Sequence, residues 1–328
     1  GEKEHTADEV KQIENEIVNQ LKLLLMTDEV RAERMTVEDE VENGLFYFSH
    51  TIWDVVPHLY QDIRMALETY YGESGDLPIV LKYRSWIGSD RDGNPNVTSS
   101  VTWRTLMEQR KTAFKMYIKK LDHLRRYLSI SYKETQISDE LRASLKEEEN
   151  TNPLTELYER RYQREPYRRK ITHMMQHIKE QQEVLGSDKE EILKKAQNYT
   201  AAHFIADLEL TKHSLIQNDL VGLSMQGRLQ DLIYCAKTFG FHLTALDVRQ
   251  HSRLHEETVS ELLSKGNVIE NYEQLSEEEK IKVLEKELRN PRPLSPINSE
   301  RTEVAERVMS VFEEIRDMIA LDPNSFGS

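Results

Sequence analysis

The chain has 328 residues and a formal charge of −14, enough length for a large core or two domains, with a sign that works against bulk attraction to nucleic acid or anionic lipid. Charged residues are 31%, apolar residues 38% and the mean hydropathy is −0.68, a balance typical of helices that each keep one wet face. One cysteine, Cys235, excludes a disulfide framework, no apolar run nears the roughly 20 residues of a membrane span, and the N-terminus reads as charged rather than signal-like, so a reducing cytoplasm is the expected compartment.

In chain order, Val10, Ile13, Ile17, Leu21 and Leu24 fall at helical spacing from about Asp8 to Met26, and Thr27-Asp28-Glu29-Val30-Arg31 breaks that pattern. Thr36 with Asp39 marks the start of a helix that runs through Leu45, Phe48, Ile52, Val55, Leu59, Ile63 and Leu67. Pro57 should kink it, because proline removes a backbone donor and crowds the preceding turn. Ile79 to Ile87 is the first strand, with Lys82, Arg84 and Trp86 as one alternating set. Ser99 or Ser100 then caps a long helix through Trp103, Leu106, Phe114, Tyr117, Leu121, Leu124 and Leu128. The acidic run Glu147-Glu148-Glu149-Asn150 before Pro153 is expected to be a solvated connection, and Pro166 the first position of a new helix. Further helices are predicted at Lys189–Lys195, Tyr199–Ile216, Gly227–Phe239, Ser252–Leu263, Ser276–Leu288 and Ser299–Leu321. His242 to Val248 is the second strand, and Pro291 to Pro296 a rigid linker. Two strands cannot make a stable sheet by themselves, so the chain either holds unrecognised strands or belongs to something larger.

Two stretches carry chemistry. Asp90-Arg91-Asp92-Gly93-Asn94-Pro95 places three charges at a strand-to-helix bend. A calcium loop fails on spacing, since glycine stands at the fourth place instead of the sixth and Val101 holds the place of the terminal glutamate. A plain turn explains Gly93, Asn94 and Pro95 but leaves the crowded triplet without a reason. In Leu246-Asp247-Val248-Arg249-Gln250, alternation puts Leu243, Ala245, Asp247 and Arg249 on one strand face. A charged pair at the C-terminal end of a strand is how barrel enzymes present catalytic groups, whereas an exposed sheet would carry the same pair as a plain ion pair. The pairs His173/His177 and His251/His255 have metal-chelating spacing but no third ligand, and are expected to be surface histidines. Cys235 is expected in the core, and Arg168-Arg169-Lys170 on a solvated face or around an anion at a helix N-terminus.

Together these stretches resemble the phosphoenolpyruvate carboxylase family. Ser85-Trp86-Ile87-Gly88-Ser89-Asp90-Arg91-Asp92-Gly93-Asn94-Pro95 is similar to its SWMGGDRDGNP run, departing at Ile87 and Ser89. Leu246 to Gln250 is similar to its LDIRQ run, with His251 in place of the usual Glu. Thr27 to Arg31, Glu165-Pro166-Tyr167-Arg168, Arg292-Pro293-Leu294 and Pro323-Asn324-Ser325-Phe326-Gly327 have counterparts in the same order.

The resemblance implies a mainly α chain of many long helices, whose two short strands belong to an incomplete (β/α)8 TIM-like barrel of a longer enzyme. It implies one helix-rich fragment over 1–328, with barrel-strand motifs at 79–98 and 242–250, intervening helices over 99–240, and outer helices with a linker over 252–328. A strand with an essential histidine would lie upstream, and the metal-binding acids and a glycine-rich loop downstream. The implied substrates are phosphoenolpyruvate and bicarbonate, with Mg²⁺ or Mn²⁺ held outside this chain and a homotetrameric parent. Asp90, Arg91, Asp247 and Arg249 are the implied catalytic residues, with Arg249 and Arg91 on substrate, and Asp92 orienting Arg91 or capping the turn. Arg31 and Arg168 match arginines that bind sugar-phosphate effectors. The alternative function is a non-catalytic helical interaction or regulatory domain that keeps the motifs as scaffold, and the isolated fragment is expected to be inactive.

Overall fold

A computed structural model describes residues 6–26, 35–72, 77–133, 136–225, 227–294 and 300–327. They form two compact units, 1–36 and 37–328. The first holds helix α1 (Ala7–Met26), closed at its start by a reciprocal cap in which Glu9 N donates to Thr6 Oγ1 and Thr6 N to Glu9 Oε2. Its stripe of Val10, Ile13, Ile17, Leu21 and Leu24 is exposed. The break predicted at residues 27–31, Arg31 included, lies outside the described residues.

The second unit is mainly helical. The helix expected after Thr36 is α2 (Val37–Tyr47), a π-turn (Phe48–Ile52) and α3 (Trp53–Tyr71). Pro57 stays inside α3 and takes one amide out of the ladder. The Trp53 carbonyl that this amide would have served accepts from the Cys235 thiol at 3.7 Å, so the one cysteine is buried and has a structural partner.

At the centre stands α4 (Ser99–Tyr127). Its N-cap is Thr98, one residue earlier than expected, whose hydroxyl accepts from Val101 N. Ala113, Phe114, Tyr117, Leu121 and Leu124 are fully buried along it. After it come α5 (Asp139–Thr151), α6 (Glu156–Arg161) and α7 (Pro166–Glu183), the last beginning at proline as predicted. Then follow α8 (Lys189–Asn198), α9 (Ala201–Gln217), α10 (Val221–Ser224) and α11 (Arg228–Phe239). Trp53 stacks on Phe239 with centroids 4.8 Å apart and meets Tyr117 edge-on at 4.9 Å, joining α3, α4 and α11 in one aromatic core. The chain closes with α12 (Ser252–Lys265), α13 (Glu277–Leu288) and α14 (Glu303–Leu321); of the predicted Pro291–Pro296 linker, Ser295 and Pro296 lie outside the described residues.

Three expectations about charge are overturned, one of them the solvated face of Arg168-Arg169-Lys170, since Arg169 and Lys170 are buried. The acidic run is not a solvated connection, because Glu147 to Asn150 belong to α5 and Glu148 is buried. His173 is not a surface residue either: it has no exposure, and His177 is mostly covered. The cause is a polar knot where α5, α7 and α9 meet. Lys170, 1% exposed, reaches Asp207 Oδ1 at 2.5 Å, Glu148 Oε1 at 3.2 Å and Ser144 Oγ at 2.9 Å. Glu148 Oε2 lies 2.9 Å from His177 Nε2. Burial penalises the Glu148 carboxylate, but the His177 hydrogen bond and the Lys170 charge outweigh it and bring it down to about 2. Periodicity could not reveal this, since a charged residue looks the same in sequence whether water or a partner satisfies it.

His173 has no hydrogen-bond partner on either ring nitrogen, and its Nδ1 stands 3.7 Å from Glu148 Oε2. Burial pushes its pKa down to about 4, against the pull of Glu148 and with the push of Lys170, Arg169 and His177. The native state therefore keeps this ring neutral while the unfolded chain protonates it below its ordinary value. Stability is expected to fall by about 3 kcal/mol as pH drops from about 6.5 to about 4. Glu148 adds a further loss below about 4.5. Urea unfolding at stepped pH should show that fall, and His173→Leu should flatten its upper part; an unchanged slope in the variant contradicts the assignment.

The strands are shorter than predicted. β1 is Arg84–Ser85 and β2 is Ala245–Leu246, parallel, with Arg84 opposite Ala245 and Ser85 opposite Leu246. Leu243 takes a left-handed φ of +65°, so the alternation expected from His242 begins only at Ala245. A third segment, absent from the sequence reading as a strand, runs parallel to β2: Leu246 N donates to Ser325 O and Gly327 N to Leu246 O.

Candidate active site

The parallel ladder brings the two motifs together. Ala245 N donates to Tyr83 O at 3.1 Å and Asp247 N to Ser85 O at 2.9 Å. Beyond this the first strand turns at Gly88, whose φ is +76°. Its α-carbon lies so close to α4 that an added Cβ would sit 2.2 Å from Thr105 Oγ1, so glycine is required here on two grounds. The turn then rejoins the second motif. Arg249 N donates to Ser89 O at 3.3 Å and Arg91 N to Arg249 O at 2.9 Å, which sets Asp90 opposite Arg249.

Ser89 fastens this junction. It has no exposure, its hydroxyl donates to Asp247 O at 2.8 Å, and its carbonyl also accepts from Arg91 Nη1 at 3.1 Å. One of the two departures from the family motif is thus an added tie between the two stretches.

Asp90 Oδ2 stands 3.7 Å from Arg249 Nη1, with the Arg249 side chain 49% exposed. The guanidinium lies 5.3 Å from the Trp86 ring centroid, which restricts it without using up its donors. Asp90 Oδ1 accepts from Asp92 N at 3.1 Å. Asp90 rather than Asp92 therefore caps the turn, and Asp92 is exposed, so it neither orients Arg91 nor caps. Asp247 Oδ1 is paired with Arg84 Nη1 at 3.2 Å.

Arg91 is not where the sequence reading put it. It is 3% exposed, and its guanidinium turns into the protein onto Ser89 O and onto Thr102 Oγ1 at 2.7 Å. Burial lowers its pKa to about 10, partly offset by Glu314. An arginine held this way braces the loop and does not face outward with Arg249. Its partners follow from the Thr98-capped start of α4, which sequence spacing alone does not aim. Arg168 is engaged apart from this cluster: Nε donates to Arg125 O, Nη1 pairs with Glu165 at 2.9 Å, and the plane lies 5.1 Å from the Tyr162 centroid.

Sequence reasoning did not single out Arg84, Trp86 or Ser89 as site residues. The alternating set Lys82, Arg84 and Trp86 held the signal for the first two. Ser89 left none beyond its difference from the motif. Among the described residues no three His, Cys, Asp or Glu side chains come together as metal ligands. His251 caps α12, accepting from Arg253 N, and His255 packs edge-on against Phe312. What the cluster offers is a restrained, half-exposed guanidinium beside the Asp90 carboxylate, suited to gripping an oxyanion.

Residues 1–325 match the phosphoenolpyruvate carboxylase family. The chain is similar to the phosphoenolpyruvate carboxylase of Rhodothermus marinus, 41% identical over 323 residues, covering 98% of this chain and 34% of the relative. It is also similar to those of Roseiflexus castenholzii, 34% identical over 94% of this chain and 33% of the relative, and Prochlorococcus marinus strain MIT 9215, 34% identical over 95% and 33%. The chain spans about a third of the length of the curated relatives it matches.

Proposed function

This chain belongs to the phosphoenolpyruvate carboxylase family, and from that premise we propose that it is part of an enzyme converting phosphoenolpyruvate and bicarbonate to oxaloacetate and phosphate. The observation that carries this reading is the meeting of the two motifs at Asp90 and Arg249, with the guanidinium half-exposed on the same face as Asp247.

In this reaction a bicarbonate oxygen attacks phosphorus and the enol oxygen leaves, giving carboxyphosphate and the enolate of pyruvate. Carboxyphosphate separates into CO₂ and phosphate, which keeps the bicarbonate proton. The enolate carbon then takes up the CO₂. Arg249 grips the phosphoryl or carboxylate oxygens, since a planar fork with spare donors matches either group. Asp90 fixes Arg249 from one side and Trp86 limits its swing from the other. Arg91 and Ser89 act beneath them by holding the loop. A divalent cation, Mg²⁺ or Mn²⁺, would supply charge for the oxyanions in this chemistry, and on the family pattern its ligands lie in other parts of the enzyme.

The whole enzyme would complete the (β/α)8 barrel around the three parallel segments and, on the family pattern, form a homotetramer in the cytoplasm. No helix among the described residues is long and apolar enough to cross a membrane. Arg168, with Arg125 and Arg161 also near the Tyr162 ring, is a candidate contact for a phosphorylated effector. The reaction is tested with ¹⁸O-labelled bicarbonate and the full-length protein. Phosphate carrying a labelled oxygen is expected, and unlabelled phosphate formed along with oxaloacetate would overturn the proposed attack on phosphorus.

A further inference from the structure

We infer that Arg84 is a positioning residue of this site, one that holds the Asp247 carboxylate aside and cancels its charge so that Arg249 presents an undiminished field to an anionic substrate. The inference rests on the proposed reading of Asp90, Asp247 and Arg249 as one substrate-facing wall.

Three observations carry it. Arg84 and Asp247 come from adjacent parallel strands, two residues apart in register, and their side chains meet at 3.2 Å. They share a face with Trp86 and Arg249, which meet one step further along the same strands. The third parallel segment leaves room for the pair. Gly327 lies against it so closely that a Cβ there would stand 2.3 Å from Asp247 Oδ1 and 3.4 Å from Arg84 Nη1.

The charge balance gives the pair its consequence. Asp90, Asp247 and Arg249 alone would leave this face net negative, unfavourable for a ligand that carries phosphoryl and carboxylate groups. With Arg84 these four charges sum to zero, and, with Arg84 on Asp247, the carboxylate that the Arg249 guanidinium meets among the described residues is Asp90, at the loose distance of 3.7 Å. At the separations of neighbouring strands, an uncompensated carboxylate acts on a bound anion strongly enough to change affinity about tenfold.

The test measures phosphoenolpyruvate affinity by calorimetry in the full-length protein without bicarbonate, so that turnover does not enter. Arg84→Gln should weaken binding about tenfold, with thermal unfolding nearly unchanged because the side chain is 54% exposed. Arg84→Lys should recover most of the loss. Adding Asp247→Asn to Arg84→Gln should also restore binding, since it removes the charge that Arg84 cancels; a merely structural arginine would show no such rescue. Unchanged affinity in Arg84→Gln overturns the inference, as does a double variant that binds no better than the single one. Arg249→Ala serves as the control: if it binds as the wild type does, the reading of the whole site fails, whereas a weakened control beside an unaffected Arg84→Gln sinks this inference alone.

Discussion

Lys170→Ala is expected to destabilise the chain by about 3–5 kcal/mol in chemical denaturation. Lys170 ties α5, α7 and α9 together, with its ammonium within reach of Glu148, Asp207 and Ser144 and almost no water access. Removing one member of a buried ionic cluster leaves the others desolvated and unneutralised, which explains why the loss exceeds that of a surface pair. Glu148 would keep His177 and Asp207 would keep the Tyr199 hydroxyl at 2.8 Å, but neither replaces the positive charge at the centre. Lys170→Met separates charge from packing, since it keeps most of the side-chain volume and should lose nearly as much. Adding Glu148→Gln and Asp207→Asn to Lys170→Met should recover much of the stability. A loss below about 1 kcal/mol for Lys170→Ala, the size of an exposed ion pair, would contradict the buried knot.

Arg249→Ala in the full-length protein is expected to lower kcat/KM for phosphoenolpyruvate by about 10²–10³-fold, the usual scale for losing one fixed donor to developing oxyanion charge. The side chain is half-exposed and its ion pair with Asp90 is long, so unfolding should hardly change. Arg249→Lys keeps the charge and loses the fork, and should fall between the two. An Arg249→Ala enzyme with full kcat/KM would remove the oxyanion clamp from the account.

Most of the helical frame was legible because its apolar periodicity is strong. Tyr117, Leu121 and Leu124 are buried along α4 as their spacing requires, and Pro166 marks a helix start by its own backbone limit. What was illegible depends on partners far away in sequence. Glu148 reads as a solvent residue until Lys170 stands against it. His173 reads as surface until α5 and α7 close over it. Ser325 to Gly327 forms a strand edge only because β2 offers Leu246 as its hydrogen-bond partner. The site divides in the same way. That the Asp90 turn and the Arg249 strand belong together was visible through the family resemblance, and the ladder between them accounts for it physically. Which of two adjacent arginines faces outward was not visible, because Arg91 turns inward on account of Thr98, Thr102 and the positive φ of Gly88, and none of these is a matter of alternation.

Oxaloacetate formation from phosphoenolpyruvate and bicarbonate is the most direct measurement, made in parallel on the full-length protein and on residues 1–328 alone. Turnover by the full-length protein and none by the 328-residue chain is the expected result, since on the proposed reading Asp90, Asp247 and Arg249 form one wall of a site whose remaining groups lie in the rest of the enzyme. Turnover by the 328-residue chain, or none by the full-length protein with substrates and Mg²⁺ supplied, would contradict it.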